Sequence, residues 1–231
     1  MNAEEQKKAA ALAALDYIKP GMKVGLGTGS TAKHFIAALA QKVKAGLDVL
    51  AVPTSRATRE LALELGIPLT DLEKNPFLDL TVDGADEFDD GFRLMKGGGG
   101  ALLLEKIVAT SSRYMIAIAD ESKKVATLGK FPLPVEVIPF GVRATAWKIE
   151  RAMKICNVEG KMELRRKDGN PVRTDSGNAI LDIGLGSIPE PERLSGLIKS
   201  IPGVVETGLF IDVCGIILMG TASGVKTFKK A

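Results

Sequence analysis

Short apolar runs alternate with amphipathic stretches through the first half of this chain. Residues 3–18 read as a helix with Leu12, Leu15 and Ile18 on one face, stopped by Pro20-Gly21. Residues 22–26 form a short buried strand, Gly27-Thr28-Gly29-Ser30-Thr31 a loop, and 32–44 the next helix. A strand at 47–52 and a helix at 56–65 follow, the helix ending at Gly66. Residues 77–82 read as a strand running into an acid cluster, 92–95 as another ending at Lys96, 101–112 as a helix and 114–119 as a strand. Strands alternating with helices predict a parallel sheet covered on both faces.

The rhythm changes near Gly129. Strands are expected at 135–140, 162–166, 179–183 and 204–210, with helices at 142–155 and 191–200. That order, β-α-β-β-α-β, is the split βαβ of a ferredoxin-like unit. The apolar run 210–219 is expected to return to the first sheet. The predicted fold is α/β: a doubly wound, mostly parallel sheet domain (1–129 and 209–231) interrupted by a small ferredoxin-like α+β domain (130–208).

Bulk properties narrow the function classes. The 231 residues carry 31 basic and 28 acidic side chains, a net charge of +3. So balanced a charge gives no reason to expect a nucleic-acid partner. No apolar run reaches the ~18 residues a membrane helix needs, and the acidic start of the chain does not read as a signal peptide. Cys156 and Cys214 make no disulfide framework, which fits a reducing cytoplasm. Lys226, Lys229 and Lys230 read as a solvated C-terminus.

Three places carry candidate chemistry. The first is Gly27-Thr28-Gly29-Ser30-Thr31, between a strand and a helix, where free amides and three hydroxyls suit a phosphate. The alternative is a tight turn with a Ser/Thr cap. A dinucleotide fingerprint is incomplete there, because Ser30 stands where its last glycine is expected and no ribose-binding acid follows the next strand. No nucleotide-triphosphate loop occurs anywhere. The second is Asp83-Gly84-Ala85-Asp86-Glu87 at a strand end, the edge where open α/β sheets bind ligands. Substrate hydroxyls, an Asx turn and a hard cation compete for it. The third is Lys96-Gly97-Gly98-Gly99-Gly100 with Glu105 beyond. Bare backbone approaches a ligand closely, Lys96 would meet an oxyanion or phosphate, and Glu105 interrupts an apolar run. The plain alternative for both charges is a solvated helix face. His34 is the only histidine, and one turn into a helix it reads as structural. With neither a Ser-His-Asp triad nor a histidine-rich metal site, proton transfer falls to carboxylates and lysine.

Taken in order, these motifs resemble the type A ribose-5-phosphate isomerases. The likeness is carried by 25–32, 83–87 and 96–107, and continues at 120–123, 131–136, 177–182 and 203–206. Leu104 departs from the family pattern, which often places a polar or basic residue before the glutamate. The resemblance implies interconversion of D-ribose 5-phosphate and D-ribulose 5-phosphate through an enediolate, in the non-oxidative pentose phosphate pathway. It implies Glu105 as the general base, Lys96 with the amides of Gly97, Gly98 and Gly99 as the oxyanion site, and Asp83 with Asp86 on sugar hydroxyls. Asp83 and Asp86 would also help open the furanose ring and shuttle the hydroxyl proton. Thr28, Gly29, Ser30, Thr31, Gly84, Ala85 and Lys123 match substrate-binding positions. The family uses no cofactor or metal and forms homodimers, sometimes homotetramers. Three rivals compete with it: a sugar-phosphate sensor, which would need a helix-turn-helix module, a CoA or acyl transferase with a glutamate nucleophile, and a metal-dependent isomerase, which a chelator would silence.

Overall fold

The computed structural model describes residues 1–230. The chain divides into two compact units, Met1–Ala85 with Leu104–Lys124 and Asp212–Ala231, and Asp86–Leu103 with Val125–Ile211. The helices are α1 (Ala3–Ala14), α2 (Ser30–Lys44), α3 (Arg56–Glu64), α4 (Leu102–Thr110), α5 (Val142–Ile155) and α6 (Pro191–Lys199).

The first unit is built on a six-stranded sheet. In spatial order its strands are Gly224–Lys229, Cys214–Thr221, Met115–Asp120, Leu80–Gly84, Met22–Leu26 and Val49–Pro53. All neighbours run parallel except the first pair. Alternation along the strands sorts the faces. Val24, Leu26, Leu80, Val82, Ile116 and Ile118 turn to one side and pack with Phe35 and Leu39 of α2. Thr81 turns to the other, where its hydroxyl meets Ser112 just beyond α4 at 2.6 Å.

The α1 face differs from expectation. Leu12 is 44% exposed, and the buried stripe is Ala10, Ala11 and Ala14. Small residues let the helix backbone lie close to the sheet: a Cβ on Gly220 would stand 2.0 Å from the Gln6 carbonyl. The C-terminal lysines are corrected too. Lys226 and Lys229 belong to an edge strand paired antiparallel with Cys214–Thr221, where lysine discourages edge-to-edge pairing. Phe77, expected to open a strand, is 81% exposed and precedes it.

The second unit contains a four-stranded sheet in the order Val204–Thr207, Leu133–Val137, Ala179–Gly184, Lys161–Leu164, every pair antiparallel. With α5 after the strand at Leu133 and α6 after the strand at Ala179, this is the split βαβ arrangement. Val135, Val137, Leu181 and Ile183 bury one face against Ile149 and Met153 of α5 and Leu194 and Ile198 of α6. Two boundaries move. Phe140 lies beyond its strand and is 92% exposed. The expected strand 204–210 breaks at Gly208, and Leu209–Phe210 pairs instead with Leu94–Met95.

Candidate active site

In the first unit, three candidate segments leave the carboxyl ends of three adjacent parallel strands. Gly27–Thr31 follows Met22–Leu26, Asp83 and Gly84 end Leu80–Gly84, and Lys123 closes a 3-10 turn after Met115–Asp120. Successive connections depart to opposite sides of Met22–Leu26, so this edge is a topological switch point, where open α/β sheets bind ligands.

Asp83 is fully buried. Its Oδ1 accepts the amides of Thr28 at 3.0 Å and Gly84 at 2.7 Å, which fixes the carboxylate. Gly27 is a glycine because a Cβ there would sit 2.1 Å from that oxygen and 2.5 Å from the Asp83 Cα. Gly84 in turn faces Thr31. So Thr28, Thr31, Asp83 and Gly84 come together, with Ala85 next along the chain.

The hydroxyls of this loop divide. Thr28 Oγ1 is engaged with Thr54, Ser55 and Thr58 at 2.8, 2.8 and 3.0 Å, so it braces the loop and does not reach for a ligand. That corrects the expectation of three phosphate donors at 28, 30 and 31. Among the described residues, Ser30 and Thr31 hydroxyls make no hydrogen bond. Gly29 caps α2 with φ +117° and no side-chain hydrogen bond, so no Ser/Thr cap fills the helix end. Its first amides are left to water or an anion.

Glu105 lies on the first turn of α4 and is 4% exposed. A solvated helix face is therefore ruled out for it. Leu102, Glu105, Val108 and Ala109 make one buried stripe at helical spacing. Val108 packs above Gly25, where a Cβ would come within 2.6 Å of its Cγ1. The helix runs back along the strand, because Leu78 bridges to Ser112 and Thr81 reaches both Ser112 and Val108. Glu105, nearly a turn before Val108, thus stands toward the carboxyl end of the strand, on the face that Asp83 shares with Thr81.

In the second unit, Lys96 is 3% exposed, with Nζ 5.5 Å from the centre of the Phe210 ring. Its amide donates to Gly208 O at 2.8 Å. Asp86 is half-buried, and its Oδ2 accepts the Gly98 amide at 2.8 Å. Asp86 and the glycine loop are thus in contact, and the Gly98 amide expected at the oxyanion is given to a carboxylate. Gly97 takes φ +107° and packs against Leu102 and Pro134. Glu87 is no ligand: its two oxygens accept the amides of Gly129 and Phe131. That removes one of the three carboxylates a hard cation would have used, and no cluster of metal-ligating side chains occurs among the described residues. His34 pairs with Glu4 at 2.7 Å on the surface. No helix among the described residues is long and apolar enough to cross a membrane.

The profile of ribose 5-phosphate isomerase A (phosphoriboisomerase A) matches residues 50–224. The ribose-5-phosphate isomerase A of Parvibaculum lavamentivorans is 59% identical over 97% of both chains. That of Rhodopseudomonas palustris strain HaA2 is 54% identical over the whole of both. Among solved structures, a D-ribose-5-phosphate isomerase in complex with phospho-erythronic acid superposes with a TM-score of 0.93 at 42% identity, covering 100% of both chains. The Plasmodium falciparum ribose 5-phosphate isomerase gives 0.93 at 37% identity, covering 98% of this chain and 99% of its own. A profile match across most of the chain, with relatives more than half identical over nearly all of its length, makes this protein a member of the ribose 5-phosphate isomerase A family.

Proposed function

We propose that Glu105 is the general base with which this chain interconverts D-ribose 5-phosphate and D-ribulose 5-phosphate. The reaction is an aldose–ketose isomerisation. A proton leaves C2 of the aldose, the electrons move into an enediolate, and a proton returns at C1. Lys96 and the amides of Gly97 and Gly99 stabilise the oxygen that gains charge. Asp83 holds a substrate hydroxyl, helps open the furanose ring and moves the hydroxyl proton. Asp86 gives up the Gly98 amide, which frees it for substrate and its carboxylate for a sugar hydroxyl. Ser30, Thr31, Gly29 and Lys123 take the remaining polar groups, with Thr28, Gly84 and Ala85 shaping the loops.

The observation that carries this reading is the burial of Glu105 at 4% exposure. A positioned base contributes typically ~10²–10⁴-fold, and a carboxylate withdrawn from bulk water is a stronger partner for a carbon acid. No cofactor or metal enters the scheme. The protein is read as a cytoplasmic homodimer or homotetramer serving the pentose phosphate pathway.

The deciding assay follows ribulose 5-phosphate formation from ribose 5-phosphate with EDTA and no added cofactor, beside Glu105→Gln. Turnover in the wild type is expected to survive the chelator. In the variant it is expected to fall by at least ~10²-fold while sugar-phosphate binding persists. Loss of binding along with turnover would make Glu105 a structural residue.

A further inference from the structure

The four-stranded sheet buries one face under α5 and α6, and the other face of the same sheet receives the glycine loop. Pro134 lies against Gly97, and Ile180 against Gly100. On this face stands Arg165, an ion-paired side chain only 14% exposed. Its Nε and Nη2 donate to Asp182 Oδ2 and Oδ1 at 2.8 and 2.5 Å, a bidentate fork. Its Nη1 donates to the carbonyls of Gly97 at 2.8 Å and Gly98 at 3.1 Å. The Arg165 backbone is tied as well: its amide donates to Ile180 O, and its carbonyl accepts from Val172.

We infer that Arg165 is a positioning residue for the isomerisation, acting through the peptide planes of the glycine loop. A trans peptide is planar, with its carbonyl and N–H pointing in opposite directions, and no cis peptide occurs among the described residues. A guanidinium that captures the carbonyls of Gly97 and Gly98 therefore turns the N–H groups of Gly98 and Gly99 away from itself. The Gly98 N–H shows the direction: it points at Asp86, 2.8 Å from Oδ2. The Gly99 N–H makes no hydrogen bond to a described residue. The loop closes one turn of its own, Gly100 N–H donating to Gly97 O at 3.0 Å, but four consecutive glycines have little intrinsic preference for any one arrangement, so that turn needs a further constraint from outside to fix its donors. Arg165 supplies that constraint with a rigid fork that lysine cannot copy, and Asp182 holds the fork in plane. A positive charge on the carbonyl side also polarises both peptides and strengthens their N–H groups as donors to an oxyanion.

This rests on the isomerase reading above, and the test separates the two. Wild type, Arg165→Met, Arg165→Lys and Asp182→Asn are compared in kcat, KM and thermal melting. Inhibition is measured with two probes: phospho-erythronic acid, whose carboxylate carries the charge of an enediolate oxygen, and erythritol 4-phosphate, which lacks it. Misplacing donors by about an ångström costs on the order of 10²-fold, so Arg165→Met is expected to lose about 10- to 100-fold in kcat with KM within about 3-fold. Arg165→Lys and Asp182→Asn should fall between it and the wild type. The acid should weaken about as much as kcat falls, and the alcohol hardly at all. Unchanged kcat in folded Arg165→Met, or equal weakening of both probes in the two milder variants, would overturn the inference. A wild type that isomerises nothing would overturn the reading beneath it as well.

Discussion

The two glycine-rich loops differ in what their glycines are for. In Gly27–Thr31 the glycine is a matter of space: Gly27 lets the buried Asp83 carboxylate lie against the neighbouring strand. The sheet holds that loop, and Thr28, Thr54, Ser55 and Thr58 brace it from within. In Lys96–Gly100 the backbone itself is the functional surface, and side chains hold it: Asp86 from one side, Arg165 from the other. Similar sequences thus reach precision by opposite routes, one by packing and one by polar clamps. Damage to the first should appear in stability and in substrate affinity. Damage to the second should appear in turnover.

The sharpest test of that division is Lys96→Ala. It should lose about 10²–10³ in kcat, the worth of one oxyanion donor, while urea unfolding stays cooperative. Near-normal turnover would take Lys96 out of the reaction. Gly27→Ala should do the reverse and lower stability by about 1–3 kcal/mol through overpacking, visible as a lower urea midpoint. An unchanged midpoint would mean that Asp83 has room to move. Ser30→Ala should raise KM by roughly 10-fold, for one lost hydrogen bond to a charged group, with kcat nearly constant. Thr28→Val should leave KM within about 2-fold and cost roughly 1 kcal/mol of stability. If Thr28→Val raised KM as much as Ser30→Ala, its hydroxyl would belong to the ligand after all. The smallest effect lies outside both loops. Glu4 is held below the usual carboxylate range by hydrogen bonds from His34 and Lys7. A carboxyl depressed in the folded state stabilises above its unfolded pKa, and that contribution fades as pH falls through the folded value. The slight melting difference between wild type and Glu4→Gln should therefore close below about pH 4.

Much of the fold was legible because local signals agreed. Pro20-Gly21 isolates the strand Met22–Leu26, and the spacing in Val142–Ile155 marks a single helix. Expectation failed where size stood in for burial. Leu12, Phe77 and Phe140 look like core residues, yet alanines line the inner face of α1 and both aromatics lie outside their strands. The edge strand Gly224–Lys229 was hidden by its lysines, which suit an edge as well as a tail. At the candidate site, Asp83 and Lys96 were visible as charges beside glycines. The burial of Glu105 was written in its spacing to Leu102, Val108 and Ala109, although a run of leucines on every side obscured the stripe. The role of Thr28 depended on three hydroxyls some 26 to 30 residues away. Arg165 depended on a strand partner, Asp182. Contacts across such distances along the chain leave no local pattern to read.

The bare start of α2 has a consequence for the life of the protein. No side chain completes that helix, so on the proposed reading a polar group of the bound sugar phosphate completes it. Ligand bound only by the folded chain stabilises it by RT ln(1 + [L]/Kd), about 2.7 kcal/mol at a hundredfold excess over Kd. The enzyme should then resist heat and proteases best in a cell rich in pentose phosphates and be cleared sooner in a starved one, so that the abundance of the catalyst follows the supply of its substrate without any regulator.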